Sequence, residues 1–286
     1  MKIFILGTGK SGTTALVYKV AGGLPNCYAF SGGQPGKYLG DYENAVYKHT
    51  YEESKGKSFE LYLNHLKEEH YDRKIWIARD PRDVAVSRML YRWQRGNKGQ
   101  KDQYLAHLNL ILRKEKNPRS VSFSEIYRYA RFNNWPLSLE EVFEEERVRY
   151  QRMQDFVKCL ETDWFFFTYE DMVAKNFAKL NEYLGFSVVP DAEVPQSTGK
   201  AKVIRKKSTG DWRHWFTPED TSLLKPAYTG YMTLMGYDCN DWNLAENPVI
   251  EPEFSSVYMK NLASKATKNV LRRYLDLIVD RLAGRP

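Results

Sequence analysis

Cysteine is scarce in this sequence, and long hydrophobic runs are missing. The chain has 286 residues but only three cysteines, Cys27, Cys159 and Cys239. Their odd number and wide spacing argue against a disulfide framework or a cysteine metal site, so we expect reduced thiols, mostly buried or inert. No stretch approaches the ~18 consecutive apolar residues of a membrane span. The apolar N-terminal stretch is too short for a signal peptide and ends in glycines. These absences predict a cytoplasmic protein.

Internal repeats and low-complexity tracts are also missing, which excludes a repeat array. The hydrophobic content of 42% and the aromatic content of 14% are those of a globular protein. The net charge of +7 favours anionic ligands but does not choose among a nucleic acid, a membrane surface and a nucleotide. A length of 286 residues suits one large α/β domain or two small ones.

The chain does contain, at its beginning, the pattern of a strand, a glycine-rich turn and a helix start. Residues 2–6 form a short apolar run that predicts a buried strand. The turn contains Gly7, Gly9 and Gly12, and a helical pattern begins at Thr13. Backbone N–H groups and the dipole at a helix start favour an anion. The turn adds the amine of Lys10 and the hydroxyls of Ser11, Thr13 and Thr14. A phosphate-like group is therefore the expected ligand.

The spacing of this turn excludes a Walker A loop. That motif has four residues between its first glycine and the Gly-Lys-Ser/Thr sequence. Gly9, Lys10 and Ser11 supply the second part, but the position of the first glycine holds Phe4, inside the predicted strand. The loop is therefore shorter than that of a nucleoside triphosphatase. A glycine-rich turn that binds no ligand is the alternative.

A second unit of strand, turn and helix follows at residues 74–91. Its strand ends at Ala78, Arg79 comes next, and Pro81 suits the first turn of a helix. The recurrence of this unit predicts an α/β fold with a central, mostly parallel sheet and flanking helices, like that of P-loop nucleoside triphosphatases. Ligands of such sheets bind beyond the carboxyl ends of the strands, which is where Arg79 is expected.

Arg79 is followed eight residues later by Ser87, which is two helical turns further on. A guanidinium group binds phosphate through parallel hydrogen bonds, and a serine hydroxyl can donate another. The pair therefore predicts a second phosphate contact. An ion pair of Arg79 with Asp80 or Asp83 is the alternative.

A third basic motif lies in a stretch with few structural signals, between Pro195 and Pro218. It reads Arg205-Lys-Lys207, then Gly210-Asp-Trp212, then Phe216-Thr217. Three adjacent cations repel one another unless an anion lies between them, so an anionic ligand is expected. A nuclear-localisation or nucleic-acid patch is the alternative, but it does not explain the Gly-Asp-Trp sequence.

The three motifs together resemble those of the PAPS-dependent sulfotransferases, where PAPS is 3′-phosphoadenosine 5′-phosphosulfate. Residues 10–14, Lys-Ser-Gly-Thr-Thr, match the 5′-phosphosulfate loop of that family, and Arg79 with Ser87 matches its 3′-phosphate motif. The C-terminal loop of the family reads Arg-Lys-Gly, two variable residues and Gly-Asp-Trp. Lys207 replaces that glycine here. Ala15 replaces the tryptophan that stacks on adenine, so another aromatic side chain must cover the base.

The resemblance implies transfer of a sulfuryl group from PAPS to a hydroxyl or amine, with release of PAP (adenosine 3′,5′-bisphosphate) and without a metal. It implies that Lys10 neutralises charge on the oxygen between sulfur and the 5′-phosphate. It implies that Tyr169, which follows a predicted strand, reaches the adenine. The residues implied to bind the nucleotide are Lys10, Ser11, Gly12, Thr13, Thr14, Arg79, Ser87, Tyr169, Arg205, Lys206 and Lys207. The acceptor could be a carbohydrate, a lipid or a small metabolite.

A hydroxyl acceptor needs a base to take its proton, and His49 is our candidate. In cytosolic family members the base is a histidine two residues after a lysine on a strand. Here His49 directly follows Lys48, and a shift of one residue turns a side chain to the other face of a strand. Carboxylates could serve instead, as they do in the glycan branch of the family. The other candidates are Asp41, Glu43, Glu52, Glu53 and, more weakly, His214.

Residues 95–160 predict an all-helical insertion that shapes the acceptor site. Its long helix begins at a capping box formed by Ser138 and Glu141. The acidic cluster from Glu140 to Glu146 is expected to face solvent. Elsewhere the pattern predicts a loop at residues 26–41.

Residues 1–240 are expected to form the sulfotransferase domain, and residues 241–286 a C-terminal extension. The extension carries a basic amphipathic helix at 255–283. This helix could pack on the domain, pair with a second subunit or contact an anionic membrane, and packing is the default expectation. A further helix is predicted at residues 58–70.

Two other function classes stay open on sequence grounds. A small-molecule or nucleotide kinase with a variant P-loop would need magnesium ligands, for which Asp80 is the candidate, although Arg79 would crowd a metal there. A non-enzymatic nucleic-acid binder would use the charge of +7 and bind DNA or RNA in a salt-sensitive manner. We expect no nucleic-acid partner.

Overall fold

The fold is built on a five-stranded sheet in which every pairing of neighbouring strands is parallel. In this computed structural model the described residues are 1–30, 42–51, 70–94, 100–130, 137–160, 162–196 and 205–264. The strands are β1 (Lys2–Thr8), β2 (Cys27–Phe30), β3 (Asn44–Tyr51), β4 (Arg73–Ala78) and β5 (Trp164–Thr168). Their order is β2-β3-β1-β4-β5, which places β1 in the centre.

Helices cover both faces of this sheet. They are α1 (Thr13–Ala21), α2 (Pro81–Tyr91), α3 (Lys101–Lys116), α4 (Phe123–Tyr127), α5 (Leu139–Lys158), α6 (Tyr169–Val173), α7 (Ala178–Leu184), α8 (Trp212–Trp215) and α9 (Pro218–Leu234). Helices α1, α6 and α7 pack on one face, and α2 to α5, α8 and α9 pack on the other. The predicted α/β fold, with a central parallel sheet and flanking helices, is confirmed.

The central strand β1 is buried on both faces, which is why its sequence is a continuous apolar run. Phe4 and Leu6 belong to the larger core, and Ile3 and Ile5 belong to the core under α1. All four side chains have 0% exposure. The strand therefore delivers the glycine-rich turn to the carboxyl edge of the sheet, where ligands of parallel sheets bind.

Strand β2 lies in the segment for which the sequence predicts a loop, so that prediction is wrong for Cys27–Phe30. β2 pairs with β3, from Cys27 opposite Asn44 to Phe30 opposite Tyr47. Its aromatic side chains also stack against Tyr42, with 4.5 Å between the ring centroids of Tyr28 and Tyr42. A four-residue pattern is too short to predict a strand, and the tertiary pairing decides it.

The described residues after position 240, which end at residue 264, pack on the main core. Tyr258, Met259 and Leu262 are buried in the larger core, in a helical segment at residues 256–264. Glu115 of α3 holds the start of this segment, since its Oε1 accepts hydrogen bonds from Ser255 Oγ (2.5 Å) and the Ser256 N–H (2.9 Å). The expected packing is confirmed for this part, and the rest of the predicted 255–283 helix lies outside the described residues.

The predictions for residues 58–70, for membrane spans and for the cysteines have different outcomes. The predicted helix at 58–70 lies, except for its last residue, outside the described residues. No helix in the described ranges is long and apolar enough to cross a bilayer. The three cysteines are unpaired, but Cys159 is exposed and the other two are only half-buried, so the expected burial is wrong.

Helix α5 starts as predicted, but it buries Glu146, an acidic residue that was expected to face solvent. The Ser138 hydroxyl accepts the Glu141 N–H at 3.1 Å, and Glu141 accepts the Ser138 N–H at 2.7 Å. Glu146, however, has 0% exposure. It accepts hydrogen bonds from the hydroxyls of Tyr127 (2.9 Å) and Tyr228 (3.1 Å), and Arg88 lies at 3.5 Å. The predicted solvated cluster is therefore wrong at Glu146.

The reason is helical periodicity. Glu146 falls four residues after Val142 and four before Tyr150, on the stripe that the helix buries against α4 and α9. This signal was present in the sequence. A carboxylate on a buried stripe requires hydrogen-bond partners and a counter-charge; the two tyrosine hydroxyls donate the hydrogen bonds, and Arg88 supplies the opposite charge.

We expect Glu146→Ala to lower the free energy of unfolding by about 3 kcal/mol, because it leaves buried donors without an acceptor. Urea unfolding followed by circular dichroism measures this. Glu144→Ala is the matched control, since Glu144 pairs with Arg147 on the exposed face of the same helix. The control should not change stability measurably. Equal shifts in the two variants would contradict the buried network.

Candidate functional site

The turn after β1 is shaped by its own backbone and by Ser11. The Ser11 N–H and Ser11 Oγ both donate to the Thr8 carbonyl, at 3.1 Å and 2.8 Å. Lys10 and Gly12 have φ angles of 77° and 91°. Gly12 caps α1 without a side-chain hydrogen bond, so the first-turn N–H groups have no side-chain cap. Such N–H groups at a helix start form an anion site.

Gly12 is needed here for space as well as for its positive φ. A Cβ atom at this position would lie 2.6 Å from Tyr169 Cδ2 and 2.9 Å from Met172 Cε. Tyr169 therefore packs directly against the glycine turn. Its ring also lies under the guanidinium group of Arg79, with 4.1 Å between the Arg79 Cζ and the ring centroid. Contact of Tyr169 with adenine stays a prediction.

Arg79 connects the first and third sequence motifs. Its Nη1 donates to the Lys10 carbonyl at 3.1 Å, and its Nη2 donates to the Ser208 carbonyl at 3.3 Å. The side chain is buried, at 6% exposure. Its Nε has no acceptor among the described residues. A buried donor of this kind suits a further anionic ligand.

Neither of the two carboxylates considered as ion-pair partners of Arg79 makes a hydrogen bond with its guanidinium group. Asp83 lies 4.0 Å from its Nη2, which is too long for a hydrogen bond. Asp80 is bound by Arg82 instead, through contacts of 2.9 Å to Nε and 2.7 Å to Nη2. Because this carboxylate is already saturated, it is poorly suited to hold a magnesium ion.

Cations converge on the glycine turn. The pKa of the Lys10 amine is lowered to about 7, first by burial and then by neighbouring charges. The cations that lower it are Arg79, Arg205 and Lys48. The amine also lies 3.9 Å from the centre of the Tyr91 ring, and the side chain keeps partial exposure to solvent. Arg79 and Arg205 are therefore near enough to the Lys10 amine for their charges to lower its pKa.

The third motif separates into one buried cation and two peripheral ones. Arg205 is buried and pairs with Asp211 at 2.7 Å. Lys206 pairs with Glu251 at 2.9 Å, and Lys207 pairs with Glu193 at 3.1 Å. The expected repulsion within the triplet is therefore relieved by a separate carboxylate for each residue. The Lys207 side chain is 67% exposed. Nucleotide contacts of Lys206 and Lys207 stay predictions, as does that of Ser87, which is buried two turns along α2.

Strand β3 presents Lys48 and His49 on opposite faces. Lys48 Nζ donates to Thr14 Oγ1 on α1 at 2.9 Å. Alternation along the strand places His49 on the face of Tyr47 and Tyr51, which belong to the larger core. The sequence reasoning did not select Lys48 or Tyr91 as site residues. The period of two in β3 is the signal that would have found Lys48.

The other candidate bases have different surroundings. Glu43 precedes β3, and its carbonyl accepts the N-terminal ammonium of Met1 at 2.7 Å. It therefore lies at the amino edge of the sheet, roughly 20 Å from the glycine turn, and is poorly placed as a base. His214 Nδ1 accepts the Val249 N–H at 3.1 Å, which gives this histidine a structural partner. Asp41, Glu52 and Glu53 lie outside the described residues.

A glycine turn at a helix start, with cations around it at the carboxyl edge of a parallel sheet, is an arrangement with which α/β proteins bind phosphorylated ligands. The comparison with protein families makes the class specific. The family described as Sulfotransferase domain matches residues 63–236, which is more than half of the chain. The chain therefore belongs to the sulfotransferase-domain family and is a sulfotransferase. The matched range contains Arg79, Ser87 and the third motif.

Further comparisons are less close. The structure of mouse sulfotransferase SULT7A1 complexed with PAP matches 81% of this chain and 84% of its own. The TM-score is 0.44 and the sequence identity is 18%. No curated protein matches the chain.

We expect Gly12→Ala to destabilise the protein more than Gly185→Ala does. Both glycines have positive φ, 91° and 78°, so both variants carry a backbone strain of about 1–2 kcal/mol. Only at Gly12 does the new Cβ also collide with Tyr169, whereas nothing lies within 4 Å at Gly185. Urea unfolding of the two variants compares the losses. Equal losses would show that Tyr169 does not pack on the turn.

Proposed function

We propose that this chain moves a sulfuryl group from PAPS to a hydroxyl or amine of an acceptor that is a carbohydrate, a lipid or a small metabolite. The observation that carries the proposal is the pair of hydrogen bonds from Arg79 to the carbonyls of Lys10 and Ser208. They join the predicted 5′-phosphosulfate loop to the predicted 3′-phosphate loop. A nucleotide with phosphates at both ends of its ribose suits a site built in this way.

The charge balance of the site supports this ligand. Burial and neighbouring cations lower the pKa of the Lys10 amine to about 7, and no carboxylate of the described residues is among the charges that counter this fall. The Nε of Arg79 likewise lacks an acceptor among the described residues. A bound polyanion would supply a counter-charge for Lys10 and an acceptor for the Nε of Arg79. It would also raise the pKa of Lys10 again.

In the proposed mechanism PAPS supplies the sulfuryl group, and the protein contributes position and charge. The N–H groups at the start of α1, with the hydroxyls of Thr13 and Thr14, hold the 5′-phosphate. Lys10 neutralises the charge that develops on the leaving oxygen. Arg79, Ser87 and Arg205 hold the 3′-phosphate, with Lys206 and Lys207 at its periphery. Tyr169 contacts the adenine.

Lys48 and His49 have separate roles in this proposal. Lys48 is held on the α1 side by Thr14 and adds positive charge beside the turn. His49 takes the acceptor proton from the opposite face of β3. In this proposal the acceptor lies on the larger-core side of β3, beyond the buried side chains of Tyr47 and Tyr51. The helical insertion at 95–160 is proposed to shape the approach of the acceptor.

The experiment that tests donor binding is calorimetric titration with PAP. We expect micromolar or tighter binding to the wild type and a loss of about tenfold or more in Arg205→Ala, because a buried charge contact to phosphate is removed. Lys207→Ala is the control, since this exposed lysine already has Glu193 as a partner, and it should change affinity by less than about threefold. Similar losses in both variants would contradict the central position of Arg205.

Transfer of radiolabelled sulfate from PAPS to a panel of glycans, lipids and phenols tests the acceptor class. Labelled product in one class identifies it. Magnesium-dependent ATP turnover in place of sulfate transfer would support a kinase. Salt-sensitive binding of long DNA or RNA, with PAP competing poorly, would support a nucleic-acid binder.

We expect PAP binding to take up about one proton at pH 8, because Lys10 is largely neutral before binding and becomes charged beside the anion. The affinity should therefore fall as pH rises above 7. Calorimetry in two buffers of different ionisation enthalpy measures the uptake. In Lys10→Met the uptake should vanish and turnover should be lost, while most of the PAP affinity remains. Proton uptake that persists in this variant would place the titrating group elsewhere.

A further inference from the structure

The carboxylate of Asp83 is committed to the backbone of a distant segment. Asp83 lies in the first turn of α2 and has 0% exposure. Its Oδ2 accepts the Gly210 N–H at 2.7 Å, and its Oδ1 accepts the Trp212 N–H at 3.0 Å. Both oxygens therefore hold the Gly-Asp-Trp turn of the third motif.

The same turn carries the buried cation of that motif. Asp211, between the two bonded N–H groups, pairs with Arg205 at 2.7 Å. One helical turn before Asp83, Arg79 donates to the Ser208 carbonyl at 3.3 Å. Arg79 and Asp83, at the start of α2, therefore hold residues 208–212 by hydrogen bonds. Arg205 pairs with Asp211, which lies within that segment.

We propose that Asp83 is a positioning residue, which holds the Gly210–Trp212 turn against α2 and thereby sets the place of Arg205 beside Lys10 and Arg79. The inference rests on the proposed function in one respect, that Arg205 binds the 3′-phosphate of the nucleotide. Asp83 itself does not touch the nucleotide in this scheme.

The chemistry of the contact requires a carboxylate. Two N–H donors approach two different oxygens, and an ionised carboxylate accepts at both. An asparagine has the same shape but offers one oxygen, and its NH2 group would face the second N–H donor. Burial raises the pKa of Asp83 to about 6, and the Arg79 charge and the Trp212 N–H oppose that rise.

Positioning and simple electrostatics predict opposite results for Asp83→Asn. Removal of a negative charge 4.0 Å from Arg79 makes the site more positive, so electrostatics alone would tighten binding of an anion. Loss of the clamp instead lets the turn and Arg205 move, which weakens binding of the 3′-phosphate. The direction of the change therefore identifies the role.

The chain offers a matched control in Asp220. This buried carboxylate also accepts backbone N–H groups with both oxygens, from Phe123 at 2.6 Å and Ser124 at 2.8 Å, and its Oδ2 accepts the Thr217 N–H at 2.8 Å as well. It joins α9 to α4 and to the last residue of the third motif, but it makes no hydrogen bond to the Gly210–Trp212 turn. Asp220→Asn removes the same kind of contact and so reports the effect of lost stability alone.

The test measures the affinities of PAP and of adenosine 5′-monophosphate, which lacks the 3′-phosphate, for wild type and both variants by calorimetry. In Asp83→Asn we expect PAP to bind about tenfold more weakly and the monophosphate to change by less than about twofold. In Asp220→Asn neither affinity should change. A PAP affinity that is unchanged or higher in Asp83→Asn, or an equal loss for both nucleotides, overturns the inference.

Hydrogen exchange gives a second measurement that needs no ligand. In the nucleotide-free wild type the Gly210 and Trp212 amides should exchange as slowly as those of α2, and Asp83→Asn should speed them selectively. Fast exchange of these amides in the wild type overturns the clamp even if the variant does not fold. Failure of the wild type to bind PAP would refute the proposed function. PAP binding by the wild type with no loss in Asp83→Asn would refute only the role of Asp83.

Discussion

The arrangement of the site depends on one buried guanidinium group. Arg79 stands at the end of β4, lies over the ring of Tyr169, and donates to the carbonyls of Lys10 and Ser208. An arginine can do this because it stays protonated when buried and offers donors in a fixed plane. A lysine in these surroundings loses much of its charge, as the lowered pKa of Lys10 shows. The guanidinium group of Arg79 thus links the glycine turn to the third motif, and it is also one of the groups proposed to bind the anionic ligand.

The net charge of the site depends on the partners of the nearby carboxylates. Two of the nearby carboxylates are committed elsewhere, Asp80 to Arg82 and Asp83 to backbone N–H groups, whereas Asp211 pairs with Arg205 itself. Among the residues that the structure describes, no carboxylate is one of the charges that perturb the pKa of Lys10. The positive charge at the glycine turn is therefore available to a ligand. Lys206 and Lys207 show the contrast, because surface glutamates neutralise them.

Much of the fold, and the glycine turn of the candidate site, could be predicted from short-range pattern. The apolar run of β1, the glycines of the turn, Pro81 at a helix start and the capping box at Ser138 all act within a few residues. The order of strands and helices followed from them. The prediction failed at β2 and at Glu146, where a strand and a buried charge depend on partners distant in the chain. Contacts between residues that are distant in the chain produce little recognisable pattern within one short segment.

The amino-acid sequence by itself determined most of the secondary-structure units, the parallel sheet and the three motifs that resemble those of the family, because each is encoded by spacing within one segment. Only the tertiary structure decided which members of those motifs meet. It placed Arg205 beside Lys10 while turning Lys206 and Lys207 toward Glu251 and Glu193. It also set Lys48 and His49 on opposite faces of β3. Neighbours in sequence were separated because side-chain direction follows from strand pleat and loop path, which only packing against the rest of the chain settles.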